Sequence, residues 1–203
     1  MPSARTIAPT SSSAPRPKAS RNRSSTTGPG YRANSALIAT GENIVKPADS
    51  GPRFEYEGEL VAVIGKRCRN VSPEEANACI FGWTIGNDVS ERTWQANDRT
   101  LWRAKNCDTF KPMGPWIATG IEPRDMTTTV WLNGETIHKF PTGDMLFSAG
   151  EVISDISRTN TLSPGDVVWL GTDEVPQSLN PGDVIEIEIT GIGVLRNRVV
   201  AEA

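Results

Sequence analysis

The sequence predicts a β-rich α+β fold, and three observations carry the prediction. Residues 130–132, Val-Trp-Leu, lead into Asn133-Gly134, a pair suited to a tight hairpin turn because both positions tolerate positive φ. A phrase occurs twice near the C-terminus, Leu162-Ser-Pro-Gly-Asp-Val-Val and Leu179-Asn-Pro-Gly-Asp-Val-Ile, each a Pro-Gly turn launching a β-branched strand. Beside these stands one helix start, Ser72-Pro73-Glu74-Glu75.

In chain order, composition sets the N-terminal segment apart. The first acid is Glu42, and before it lie six basic residues (Arg5, Arg16, Lys18, Arg21, Arg23 and Arg32) among many Ser, Thr and Pro. Such a segment cannot bury enough apolar surface to offset its chain entropy. Residues 1–30 are therefore expected to be disordered and residues 31–203 to form one domain. An acid-poor, Arg- and Ser-rich leader also resembles an organelle transit peptide, although amphipathic helical spacing is lacking; a plain tail or a degraded domain segment are the other readings.

Residues 57–64 alternate and read as a strand. At the helix start, the Ser72 hydroxyl can cap free amides while Glu75 reaches back, and Pro73 sits where no donor is needed. Ala76, Cys79, Ile80 and Trp83 follow at i, i+3, i+4 and i+7, which predicts one buried face of a short helix. Most of the remainder reads as strand. In the second Pro-Gly-Asp phrase, Ile185, Ile187 and Ile189 face one way and Glu186 and Glu188 the other, a half-buried strand with one wet face. Two copies are too few for a repeat protein.

Bulk properties narrow the function classes. A length of 203 residues, 37% hydrophobic and 22% charged, suffices for one core. A net charge of -3 and a pI near 5.3 supply no basic field, which argues against nucleic acid as a partner. No stretch approaches the roughly 20 apolar residues of a membrane helix, and no apolar run near Met1 marks a signal peptide. Cys68, Cys79 and Cys107 are odd in number and fit neither a zinc ribbon nor a CxxC pair. They read as reduced thiols of a cytoplasmic or organelle-matrix protein. With a single histidine, His138, a multi-histidine zinc site is excluded, and any metal is a hard ion held by oxygen.

Glu55, Glu57 and Glu59 stand at alternate positions ahead of Val61 and Val63, so their carboxylates share a face about 6.5–7 Å apart. Like charges running into a buried face are costly unless a cation meets them. Mg²⁺, Mn²⁺ or Ca²⁺ would remove the penalty, and a solvated acidic strand end is the other reading. Asp88 emerges from an apolar strand as a fourth carboxylate, although Asn87-Asp88 also suits a turn.

These residues fall in motifs that resemble the fumarylacetoacetate hydrolase family over residues 53–198. Phe54-Glu-Tyr-Glu-Gly-Glu-Leu-Val-Ala-Val-Ile-Gly is similar to the family's metal strand, and Asn87-Asp-Val-Ser-Glu-Arg-Thr-Trp-Gln to its second signature. Trp102-Arg-Ala-Lys-Asn-Cys-Asp-Thr-Phe-Lys-Pro-Met-Gly-Pro-Trp resembles the third, Gly171-Thr172 a substrate-contacting pair, and Gly191-Ile-Gly-Val-Leu-Arg-Asn the closing strand. The resemblance implies the family's mixed β-roll or sandwich with a few short helices. It implies Glu57, Glu59 and Asp88 as ligands of Mg²⁺ (or Mn²⁺ or Ca²⁺), Lys105 as the catalytic and substrate-facing cation, and Gln95 and Thr172 as further substrate contacts. Glu55, just ahead of the motif, is expected at the surface or behind the ligands.

The substrates implied are oxo acids or diketones, and the assembly implied is a homodimer. The simplest activity is hydrolysis of a C–C bond, of the fumarylacetoacetate or acylpyruvate type. Isomerisation, tautomerisation or decarboxylation of an oxo diacid, such as 2-hydroxyhepta-2,4-diene-1,7-dioate, is the alternative. Residues 1–30 carry neither the histidine nor the acid that family enzymes commonly bring on an N-terminal segment, and Asp173-Glu-Val-Pro replaces a Pro-Gly-rich turn. A catalytically silent member is therefore a third reading. His138, just past the hairpin, reads as a surface or packing residue.

Overall fold

The structure, a computed structural model, describes residues 6–9, 27–173 and 175–203. It opens with strands β1 (Thr6–Pro9), β2 (Pro29–Arg32), β3 (Leu37–Ile38), β4 (Asn43–Lys46), β5 (Phe54–Glu55) and β6 (Gly58–Ile64). Helix α1 (Pro73–Asn77) leads to β7 (Ile80–Asn87), β8 (Ser90–Glu91), α2 (Arg92–Gln95), α3 (Trp102–Asn106) and β9 (Lys111–Ala118). The hairpin β10 (Thr127–Leu132) and β11 (Glu135–Pro141) precedes α4 (Ala149–Thr159), β12 (Val167–Trp169), β13 (Val184–Ile189) and β14 (Gly193–Ala201).

A seven-stranded sheet in the order β2-β1-β12-β6-β7-β9-β3 packs against a five-stranded sheet in the order β11-β10-β13-β14-β4. Leu60, Ala62, Ile64 and Ile85 of the first meet Val130, Ile185, Ile187, Ile189 and Leu195 of the second in one buried core. Each such side chain contributes about 1.5–3 kcal/mol on burial. The opposite face of β6 is also covered: Val61 and Val63 pack with Val167 and Trp169. The expected β-rich α+β sandwich is therefore the observed one. Among the described residues, no helix is long and apolar enough to cross a membrane.

The hairpin forms as read, with Asn133 and Gly134 at φ 54° and 83°. Both Pro-Gly-Asp turns launch strands, β12 and β13, and on β13 Ile185, Ile187 and Ile189 are buried while Glu186 and Glu188 reach partial exposure. The capping box at Ser72 and Glu75 is present in both directions. Three expectations are corrected. Helix α1 ends at Asn77, so Cys79, Ile80 and Trp83 do not extend its face; Ile80 onward is strand instead, because seven backbone pairings to β6 outweigh the local helical spacing. The strand carrying the glutamates is not continuous, since β5 ends at Glu55 and β6 begins at Gly58, leaving Glu57 in the break. Its residues do not alternate between core and solvent, for all of β6 is buried. Helix α4, not anticipated, starts on a second capping box, Ser148 with Glu151, and buries Val152, Ile153 and Ile156.

Most of the segment expected to be disordered, residues 1–5 and 10–26, lies outside the described residues. Within it β1 runs parallel to β12 and antiparallel to β2.

Candidate metal centre

The β6–β7 ladder brings the acids together. Its last pairs set Gly58 opposite Asn87 and Glu59 opposite Gly86. Beyond them the chains stay stapled: the Asp88 amide donates to the Glu57 carbonyl at 2.8 Å, and the Glu57 amide donates to the Asn87 side-chain oxygen at 3.1 Å. Gly86 has a second role. A Cβ there would stand 2.2 Å from the Trp169 ring, so only glycine lets that ring approach the backbone opposite Glu59.

Ligand oxygens of Glu57, Glu59 and Asp88 lie within 4.8 Å of one another, and all three residues are buried. Three carboxylates at that spacing are the donor set a hard divalent cation takes, with positions left over for water or substrate. The group fits the residues present.

Buried cations hold the acids. Lys105 Nζ lies 2.6 Å from Glu57 Oε2 and 2.7 Å from Asp88 Oδ2. Arg92 reaches Glu57 Oε1 at 2.5 Å, Glu55 Oε2 at 3.1 Å and Gln95 Oε1 at 2.7 Å. Lys111 Nζ stands 2.6 Å from Asp88 Oδ1, and Arg32 3.2 Å from Asp88 Oδ2. Glu59 has a different partner, the Gly171 amide at 2.9 Å. Glu91 caps α2, accepting from the amides of Thr93 and Trp94.

The electrostatics follow from these partners. Burial opposes the Asp88 charge, but Lys105, Lys111 and Arg32 outweigh it and hold the carboxyl well below its ordinary range. Burial likewise opposes Glu57, yet Lys105 and Arg92 leave it lowered. Glu59 goes the other way: burial, then the Asp88 and Glu57 charges, push it up to about 8. Burial lowers Lys111 to about 8 despite Asp88, whereas for Lys105 the two carboxylates overcome burial and raise it.

The residues singled out in the sequence take the following places. Glu57, Glu59, Asp88 and Lys105 converge. Gln95 is joined to them through Arg92. A guanidinium can only donate, so Arg92 engages the Gln95 carbonyl oxygen and leaves the amide NH₂ as the group's donor. Thr172 follows Gly171, and its buried hydroxyl has no hydrogen-bond partner among the described residues. His138 stands apart from the triad, and its Nε2 meets the Val175 carbonyl at 2.9 Å. Glu55, expected at the surface or behind the ligands, is buried and stands behind Glu57 on the far side of Arg92. Sequence reasoning assigned no role to Arg92, Lys111 or Arg32. The signal available was charge balance, since buried acids demand buried partners. A cavity of about 680 Å³ lined by Phe81, Leu146, Glu122 and Arg124, among others, includes none of these acids.

A family model described as fumarylacetoacetate (FAA) hydrolase C-terminal matches residues 9–200. An uncharacterised protein of Methanocaldococcus jannaschii is 43% identical over 168 residues, 83% of this chain and 70% of its own length. A mitochondrial oxaloacetate tautomerase of Bos taurus is 34% identical over 178 residues, covering 82% of this chain and 56% of its own. Among solved structures, a 5-carboxymethyl-2-hydroxymuconate delta-isomerase from Mycobacterium smegmatis is 36% identical with a TM-score of 0.91, covering 98% of this chain and 80% of that one. A maleylpyruvate hydrolase from Sphingobium sp. SYK-6, in complex with manganese(II) and pyruvate, is 29% identical with a TM-score of 0.82, over 98% and 71%. The chain thus spans between 56% and 70% of the length of these two curated relatives.

Proposed function

The chain belongs to the fumarylacetoacetate hydrolase family, whose members act on small oxo acids, and from that premise we propose that it is a divalent-metal-dependent isomerase or tautomerase of an oxo diacid. The observation that carries the reading is the buried triad of Glu57, Glu59 and Asp88 within 4.8 Å. A bound Mg²⁺ or Mn²⁺ would serve as a Lewis acid, drawing electron density from a substrate carbonyl.

The chain's own residues supply the rest. Glu55, Glu57 and Asp88 are met by four buried bases, Arg32, Arg92, Lys105 and Lys111. A divalent ion would add two positive charges to this site, which suits an anionic oxo diacid. Lys105 is the ammonium suited to a substrate carboxylate. The Gln95 amide, fixed by Arg92, and the Thr172 hydroxyl are donors for substrate oxygens.

Proton transfer within the substrate is our reading ahead of hydrolysis, and each acid of the site already has a partner. Glu55, Glu57 and Asp88 are tied to guanidinium and ammonium groups, Glu59 to an amide, and Glu91 to a helix end. The two isomerising relatives point the same way. Hydrolysis is the second reading, favoured by the manganese- and pyruvate-bound hydrolase of the same fold.

The test is ultraviolet spectroscopy with Mn²⁺ on the enol of oxaloacetate, on a 2-hydroxydienedioate and on an acylpyruvate. We expect the enol or diene band to shift with no release of pyruvate, by a homodimeric protein, and Glu59→Ala to remove the activity. Pyruvate released from the acylpyruvate would make the protein a hydrolase, and no turnover of any of the three would leave the silent reading.

A further inference from the structure

We propose that Lys105 is a placeholder for the metal: its ammonium closes the gap between Glu57 and Asp88 in the metal-free protein, and an entering divalent ion displaces it from both carboxylates. The inference rests on the metal reading above and adds to it a step that the ligand set alone does not contain.

The four oxygens of Glu57 and Asp88 already face cations. Glu57 Oε1 meets Arg92 at 2.5 Å and Oε2 meets Lys105 at 2.6 Å. Asp88 Oδ1 meets Lys111 at 2.6 Å, and Oδ2 meets both Lys105 at 2.7 Å and Arg32 at 3.2 Å. A divalent ion bridging Glu57 and Asp88 would meet Lys105 in the same place, and in this proposal it enters by exchange. Of the four cations, Lys105 alone bridges two of the three ligands, so its nitrogen stands where a shared cation stands.

Hydrogen-bond accounting shows which cation can leave. An ammonium has three protons to place. Lys111 gives two to the carbonyls of Val89 and Phe110, each at 2.9 Å, and stands beside Asp88 Oδ1 as an ion pair. Arg92 is held by Glu55 and Gln95 as well as Glu57. Arg32 also donates to the Tyr31 carbonyl at 3.2 Å. Lys105 is bonded to the two carboxylates and, among the described residues, to nothing else. When a divalent ion takes those oxygens, no other acceptor retains the ammonium, and its four-carbon stem can swing without moving the backbone. Metal entry then performs two tasks: it fills the site and frees the positive group that is to meet the substrate. Before entry, the same ammonium prevents the buried carboxylates from facing each other unpaired, which is costly.

The experiment compares wild type with Lys105→Met by isothermal titration with Mn²⁺, and follows lysine acetylation of wild type by mass spectrometry with and without Mn²⁺. Removing the competing cation should tighten Mn²⁺ binding by about ten-fold. In wild type, Lys105, fully buried at 0% exposure, should escape acetylation without metal and become modified with it, while the equally buried Lys111 stays protected in both states. Affinity unchanged or weakened by the substitution would overturn the placeholder and leave the metal site standing. Should Lys105→Met fail to fold, acetylation of wild type decides alone: protection unaltered by bound Mn²⁺ rejects the exchange. Absence of Mn²⁺ uptake by either protein would remove the metal reading and the placeholder with it.

Discussion

Glu59 differs from the other two acids of the triad because, among the described residues, no base forms an ion pair with it. Glu57 and Asp88 are held ionised by Lys105 and its neighbours, while burial and those two negative charges raise Glu59 to about 8. Without metal at pH 7, Glu59 therefore carries its proton, and binding a cation must expel it. The sign is fixed by the raised pKa: apparent affinity climbs as pH rises toward about 8 and flattens beyond it. The same shift makes the metal-free fold lose stability over the window from about 4.5 to about 8, because the native state binds the proton more tightly than the unfolded chain. Titration calorimetry in buffers of different ionisation enthalpy should detect about one proton released per metal at pH 7 and much less at pH 9. Glu59→Gln should abolish the release; equal proton counts at the two pH values would refute the assignment.

At the scale of elements, what was legible was what is local. The turn at Asn133-Gly134, the two Pro-Gly-Asp strand starts and the capping box at Ser72 are each specified within a few residues, and each formed. The continuation of α1 through Trp83 was not, because residues 80–87 are decided by their partners across the sheet. Helix α4 was legible and passed over: Ser148 and Glu151 repeat the spacing of Ser72 and Glu75. Of the site, the acids could be read because motif spacing places them, whereas Arg32 reaches Asp88 across 56 positions and leaves no trace in local pattern. The reach of Trp169 on β12 across β6 to Gly86 on β7 is a similar long-range fact, resting on the absent side chain of Gly86. Gly86→Ala forces the ring out of a buried position, and overpacking of this kind costs about 1–3 kcal/mol. Chemical denaturation should show that loss, with weaker Mn²⁺ uptake, since Gly86 pairs directly with Glu59. A stability change within error would mean the ring relocates freely and does not brace the site.

Over the whole molecule, the triad ties together distant parts of the chain. Glu57 leads into β6 and Glu59 lies on it, Asp88 follows β7, and the Gly171 amide that holds Glu59 follows β12, three strands of the seven-stranded sheet. The unfolded chain offers no such convergence, so a metal bound here stabilises only the folded state. At a free ion concentration 100 times Kd, that linkage is worth about 2.7 kcal/mol. For a chain of this size each kcal/mol moves the midpoint by roughly 2–4 °C, so the expected rise is roughly 5–10 °C. Melting the protein in EDTA and again in Mn²⁺ measures it, and Glu59→Gln separates this site from adventitious binding because the substitution should erase most of the rise. The gain is smaller than a cluster of unpaired carboxylates would give, because Lys105 already offsets part of their repulsion before the ion arrives. Lys105→Met should accordingly melt earlier than wild type in EDTA and show the larger rise with Mn²⁺. Superimposable melting curves for wild type in the two buffers would mean that this convergence of strands holds no metal.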